Sequence, residues 1–236
     1  MIDGMNKPVM LICSILFCLH SLYALDIELT HKEAGSDFRL ESSRSLAYGG
    51  DVSVFGEIEL NGCLGFRGGI APGWLDGEFD IRAFSSVRYA PLVNIPLNIN
   101  LLYNYNGLPG TSYNSHAHSL LPFISYNSSM AGISLGLDMR FTRYFGEAAI
   151  YESILSFSGY VNFIKNDKLL LGIHAANFNE FDIKNMGAYY IGLNYAFFIT
   201  DMWSIATELN FFQSGSVGLS SIFYGFAYQG GVRFTW

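Results

Sequence analysis

Apolar side chains recur at every second position along most of the chain. In the stretch 203–211, Trp203, Ile205, Leu209 and Phe211 share one parity with Thr207, against Ser204, Ala206, Glu208 and Asn210. In 131–142, Ala131, Ile133, Leu135, Leu137, Met139 and Phe141 alternate with Gly132, Ser134, Gly136, Asp138, Arg140 and Thr142. The end of the chain does the same, with Phe226, Tyr228, Val232, Phe234 and Trp236 on a single parity, so that the last residue still belongs to the apolar set. Period two is the signature of a strand with two unlike faces, because successive side chains leave a pleated backbone in opposite directions. Runs of this kind cover 51–61, 63–71, 78–89, 97–106, 117–126, 131–142, 151–163, 169–178, 188–199, 203–211 and 222–236.

The connections between these runs alternate in length. Short ones hold Asn61-Gly62, 91–96, 126–130, 165–168 and 200–202. Longer ones fall around Pro72–Gly77, Gly107–Ser115, Phe145–Ile150, Asn179–Met186 and Ser214–Ser221. Short turns at one end and longer loops at the other is the arrangement of a transmembrane β-barrel. Direct reading counts eleven strands, and the first of them runs toward a short turn. A twelfth must precede it, within the less regular segment Leu25–Glu41, because such barrels are even-numbered. The expected fold is therefore all-β, an antiparallel up-and-down transmembrane barrel of about twelve strands. Ten and fourteen also satisfy parity.

Composition decides which face is outside. The chain is 50% hydrophobic and 16% aromatic but only 14% charged, against roughly 25% charged in ordinary soluble domains. The polar parity is rich in glycine, serine and asparagine and poor in the lysine and glutamate of a solvated surface. Aromatics also bracket aliphatics along the apolar face, as Trp203 and Phe211 bracket Ile205 and Leu209, which matches the two girdles of a membrane barrel. The apolar face is thus expected to meet lipid, with Trp203, Trp236, Tyr89 and Phe197 at the short-turn level.

Residues 1–24 read as a secretory signal peptide, with Lys7 before an apolar run and Ala24 at a small-residue cleavage position. The barrel is assigned to 25–236. Removing the signal takes away Asp3 and Lys7 together, so the net charge of −7 is unchanged, and nucleic acid is excluded as a partner for want of a basic patch. Cys63 alone remains of three cysteines, so no intramolecular disulfide can form. With the signal, the amphipathic strands, the 200–209 hairpin and the ending "YQGGVRFTW", the chain resembles bacterial outer-membrane β-barrel proteins. The resemblance implies a place in the outer membrane among its lipids, and a C-terminal strand whose Phe234 and Trp236 are read by the barrel-assembly machinery.

Chemistry is sparse. The lumen-facing parity carries Glu57, Glu59, Arg67, Asp80, Arg82, Arg88, Asp138, Arg140, Glu208 and Arg233. These charges can pair and fill the interior, since unpaired buried charge is costly, or they can frame a narrow wet constriction. Small residues such as Gly65, Gly132, Ser134, Gly136, Gly172, Gly192 and Gly231 leave room for the second arrangement. Lipid-cleaving barrels resemble one another in placing His and Ser two apart on one strand face. Here His118 and Ser119 are adjacent and point apart, no His-x-Ser occurs, and no enzyme is expected. His116 and His118 share a face without a nearby carboxylate to complete a metal site, and His174 is expected as a satisfied lumen residue. Neither metal nor cofactor is expected. The reading is a narrow, porin-like passive channel for small solutes, and the alternative is a closed barrel with a structural or surface-recognition role through its outer loops.

Overall fold

A computed structural model describes residues 27–42, 46–60, 62–91, 95–108, 115–144, 146–178, 188–214 and 222–236. The signal expected over 1–24 lies outside them. Twelve strands follow in order: β1 (Ile27–Ser42), β2 (Leu46–Leu60), β3 (Leu64–Leu75), β4 (Glu78–Tyr89), β5 (Leu97–Gly107), β6 (His116–Asn127), β7 (Ala131–Arg143), β8 (Ile150–Lys165), β9 (Leu169–Ala176), β10 (Ala188–Phe198), β11 (Trp203–Ser214) and β12 (Ile222–Thr235). Each pairs antiparallel with its sequence neighbours, and β1 pairs with β12 to close the sheet into a barrel. Closure satisfies both edges of every strand, which is what allows a sheet to stand in lipid. Among the described residues no helix is long and apolar enough to cross a membrane.

The twelfth strand inferred from parity is β1, and it occupies the segment that alternates least. A register shift between Leu29 and His31 breaks its pattern. Its outward positions hold Ala34 and Ser36 beside Phe38 and Leu40, a weak apolar signal.

The inside–outside assignment holds along the strands apart from Tyr189. Ile133, Leu135, Leu137 and Met139 are exposed on the outer face of β7, while Ser134, Asp138 and Arg140 between them are buried in the lumen. Tyr189 departs from it. Its parity is outward, yet it is buried, with its ring 6.3 Å from Phe157.

The short-turn end is closed by local side-chain hydrogen bonds. Asn166 Oδ1 accepts from the backbone N–H of Lys168 and Leu169 at 3.0 and 2.8 Å. Thr200 Oγ1 accepts from Met202 and Trp203 at 3.2 and 3.0 Å. Gly62 adopts φ +65°, a left-handed conformation that favours glycine. Both chain ends of the barrel lie at this level, where the Trp236 N–H donates to the Lys32 carbonyl at 3.2 Å.

Two expectations about the opposite end need correction. Pro72–Gly77 is not a longer loop. Strand β3 continues to Leu75, and Asp76 and Gly77 make a two-residue turn with φ of 53° and 80°. Two successive positive φ values suit the twist of a tight hairpin, and the Pro-Gly pair in the sequence hid the strand. Strand β9 stops at Ala176 rather than 178. The Asn177 side chain takes over the ladder, accepting from Phe157 N–H at 2.8 Å and donating to the Leu155 carbonyl at 2.9 Å. Phe178 then turns into the lumen, 5.5 Å from Phe123.

Candidate functional site: the barrel lumen

Charged, apolar and open zones divide the lumen, each set by which side chains the inward parity of neighbouring strands brings together. The first is a belt of ion pairs on the wall formed by β12, β1, β2 and β4. Asp51 receives Arg82 at 2.6 Å and Arg39 at 3.3 Å. Asp80 receives the same two arginines at 3.2 and 2.9 Å. Beside them, the Arg233 guanidinium grips Asp37 with two hydrogen bonds, one of 2.7 Å, and reaches Glu33 at 3.3 Å. Gln229 donates to Asp37 at 2.7 Å. Arg233 therefore ties β12 to β1 across the closing seam.

On the opposite wall, Arg140 donates to Asp138 at 2.6 Å, and Ser119 donates to the other oxygen of the same carboxylate. Both charged residues belong to β7, and with only 1% of Asp138 and 4% of Arg140 exposed the pair is dry.

The second zone is apolar. Phe84, Leu102 and Leu121 form a buried cluster against Phe55, Phe123 and Phe178. The Arg67 guanidinium carbon lies 4.6 Å from the Phe55 ring centre and 5.5 Å from that of Phe84, a cation–π arrangement that holds the charge against the cluster.

The third zone is open. A cavity of about 500 Å³ occupies the half of the lumen nearer the short turns. Its wall includes Arg67, Arg88, Asn100, Ser125, Asn127 and Ser134, and farther round Ser158, Tyr160, His174, Asn194 and Glu208. Leu102, Phe123, Phe178 and Tyr190 line its inner end. Arg88 pairs with Glu57 at 3.1 Å and Glu59 at 3.3 Å. His174 reaches Asn210 at 2.7 Å and Glu208 at 3.4 Å, and Tyr190 meets its ring edge-on.

The eight candidate residues thus all face the lumen but do not gather in one ring. Asp80, Arg82 and Arg233 join the belt, Asp138 and Arg140 pair alone, and Arg67, Arg88 and Glu208 border the cavity. Sequence reading missed Glu33, Asp37, Arg39 and Asp51. The first three lie in the irregular β1, whereas Asp51 opens the run 51–61 on the parity of Glu57 and was legible there. The inward aromatics Phe55, Phe84 and Phe123 were also legible by parity, but an apolar residue on the lumen side contradicts the simple two-face rule.

At the C-terminal end of β12, Phe234 packs 4.7 Å from Trp203 and 5.6 Å from Trp236 by ring centres. His118 and His116 lie on β6 toward the longer loops, hydrogen-bonded at 2.8 Å to Tyr103 and Tyr105 respectively. No group of three or more metal-ligating side chains occurs among the described residues.

No protein-family model and no curated protein matches the sequence. Solved structures do match in fold. The translocator domain of the autotransporter NalP from Neisseria meningitidis aligns with a TM-score of 0.52 at 13% identity, covering 94% of each chain. The NanC porin aligns with a TM-score of 0.54 at 12% identity, covering 84% of this chain and 98% of its own. An outer-membrane channel from Pseudomonas putida F1 also gives 0.54, at 10% identity, over 90% of this chain and 97% of its own. At such identities the likeness is one of fold. The chain folds as a bacterial outer-membrane β-barrel.

Proposed function

We propose that this barrel stands in the outer membrane as a narrow passive channel for small solutes. The observation that carries the reading is the cavity of about 500 Å³ inside the lumen, lined by amides, hydroxyls and screened charges. Its polar wall suits water and small solutes, and its position near the short turns makes it the periplasmic vestibule of a conduction path. The ion pairs of Asp51, Asp80, Arg39 and Arg82 then form the constriction toward the outer side, where opposite charges face a narrow passage. Porins and channels among the proteins of similar fold are consistent with this reading.

A second reading is favoured by a specific observation. Asp51, Arg82, Asp138 and Arg140 are all buried and mutually paired, as the packed interior of a closed structural barrel would be. Purified protein in planar lipid bilayers separates the two. Discrete conductance steps that scale with salt concentration are expected of the channel. A well-folded, inserted protein that carries no current above the bare bilayer would overturn it in favour of the closed barrel.

A further inference from the structure

We infer that the vestibule is a binding site for neutral, hydroxyl-rich solutes, the chemistry of small saccharides. The inference takes its route of entry from the channel reading and adds a substrate class to it. At about 500 Å³, the cavity falls within the roughly 300–1,000 Å³ of small-molecule sites.

The wall excludes other classes of ligand. An anion would need a free cation, but Arg88 is engaged by Glu57 and Glu59, and Arg67 lies over two phenyl rings. A cation would need a free carboxylate, but Glu57 is held by Arg88, and Glu208 accepts from Asn210 and lies beside His174. Formal charges on the lining side chains cancel, with Arg67 and Arg88 against Glu57 and Glu208. A wholly apolar ligand would bury the amides and hydroxyls of the wall without partners, which is costly.

The rest of the lining is neutral, with amides and hydroxyls from Asn100, Asn194, Ser134 and Ser158 and the rings of Phe123 and Tyr190 bordering the same space. Asn194 stands beside His174 on this wall, within its hydrogen-bonding reach. Alternating hydroxyls and C–H faces are what such a wall complements, the hydroxyls meeting amides and the C–H face meeting an aromatic ring.

Two measurements on the full mature chain test this. Flux into proteoliposomes is compared for glucose, glucosamine and glucuronate, which match in size and differ in charge. Saturable binding of maltose to the detergent-solubilised barrel is followed by equilibrium dialysis. We expect glucose to enter several-fold faster than either charged sugar, and maltose to bind saturably. The near-isosteric Asn194→Leu should reduce both effects several-fold, and Ser158→Val should do the same if the first variant fails to insert. Flux with no preference or a preference for a charged sugar, and no saturable maltose binding, overturns the saccharide site and leaves the channel standing. Saturable binding without flux of any probe supports the site and overturns the channel. Loss of neither effect in both folded variants overturns the placement of the site in this vestibule.

Discussion

Arg140 and Arg88 are both lumen arginines facing carboxylates, yet their surroundings give them opposite roles. Arg140 pairs with Asp138 in a dry contact. Removing its charge leaves the carboxylate with Ser119 as its remaining partner, and breaking a buried pair costs about 3–5 kcal/mol. Arg88 lines the open cavity, with its side chain 40% exposed, where water and salt screen what a substitution unpairs. Arg140→Gln is therefore expected to lower the heat-induced unfolding temperature sharply, while Arg88→Gln leaves it nearly unchanged and shifts single-channel selectivity toward cations. Equal losses of stability would show that the cavity is as dry as the β7 pair. Neighbouring positions on β7 give a matching test of facing. Leu135 is 54% exposed on the outer face and Ser134 is 7% exposed against the vestibule. Leu135→Arg places a charge in lipid and should cost on the order of 2–4 kcal/mol, whereas Ser134→Arg points into the cavity and should fold. Urea unfolding of the inserted proteins measures both, and equal damage would contradict the assigned faces.

At the scale of elements, strand β12 decides whether the sheet closes. It pairs with β11 on one side and β1 on the other, and its Phe234 packs against Trp203 from the neighbouring hairpin while Trp236 stacks on Phe234. Deleting Phe234–Trp236 removes that stack together with the Trp236–Lys32 backbone contact. The exported chain should then accumulate as soluble or degraded protein rather than in the membrane fraction, and normal insertion of the truncated chain would count against the role given to these residues. Strand β1, the partner of β12, was legible only by parity. Its inward side carries Glu33, Asp37 and Arg39, its outward side is partly small and polar, and its register shifts between Leu29 and His31, so the alternation does not run through its whole length. Strand β3 was cut short in the sequence because Pro72 and Gly73 resemble a turn. The ladder to β4 runs through both of them, because a sheet tolerates proline where no backbone donor is required.

For the whole molecule, alternation along the chain determined the strand class, the antiparallel order and the side that meets lipid. These are local consequences of period two. Each side chain leaves the backbone opposite to the one before it, so parity alone assigns a face once charge scarcity has identified the outer one. Parity also placed Arg67, Asp80, Arg82, Arg88, Asp138, Arg140, Glu208 and Arg233 in the lumen. It carried no information on which of them meet. Arg233 of β12 finds Asp37 of β1, and Arg82 of β4 finds Asp51 of β2, because closure and the stagger of the strands bring distant positions to one height. The same stagger stacks Phe84, Leu102 and Leu121 from three adjacent strands into an apolar layer and leaves small residues such as Ser134 and Ser158 bordering open space. Whether a lumen charge is dry or wet depends on the volume its neighbours fill. That volume is fixed only when the sheet has closed.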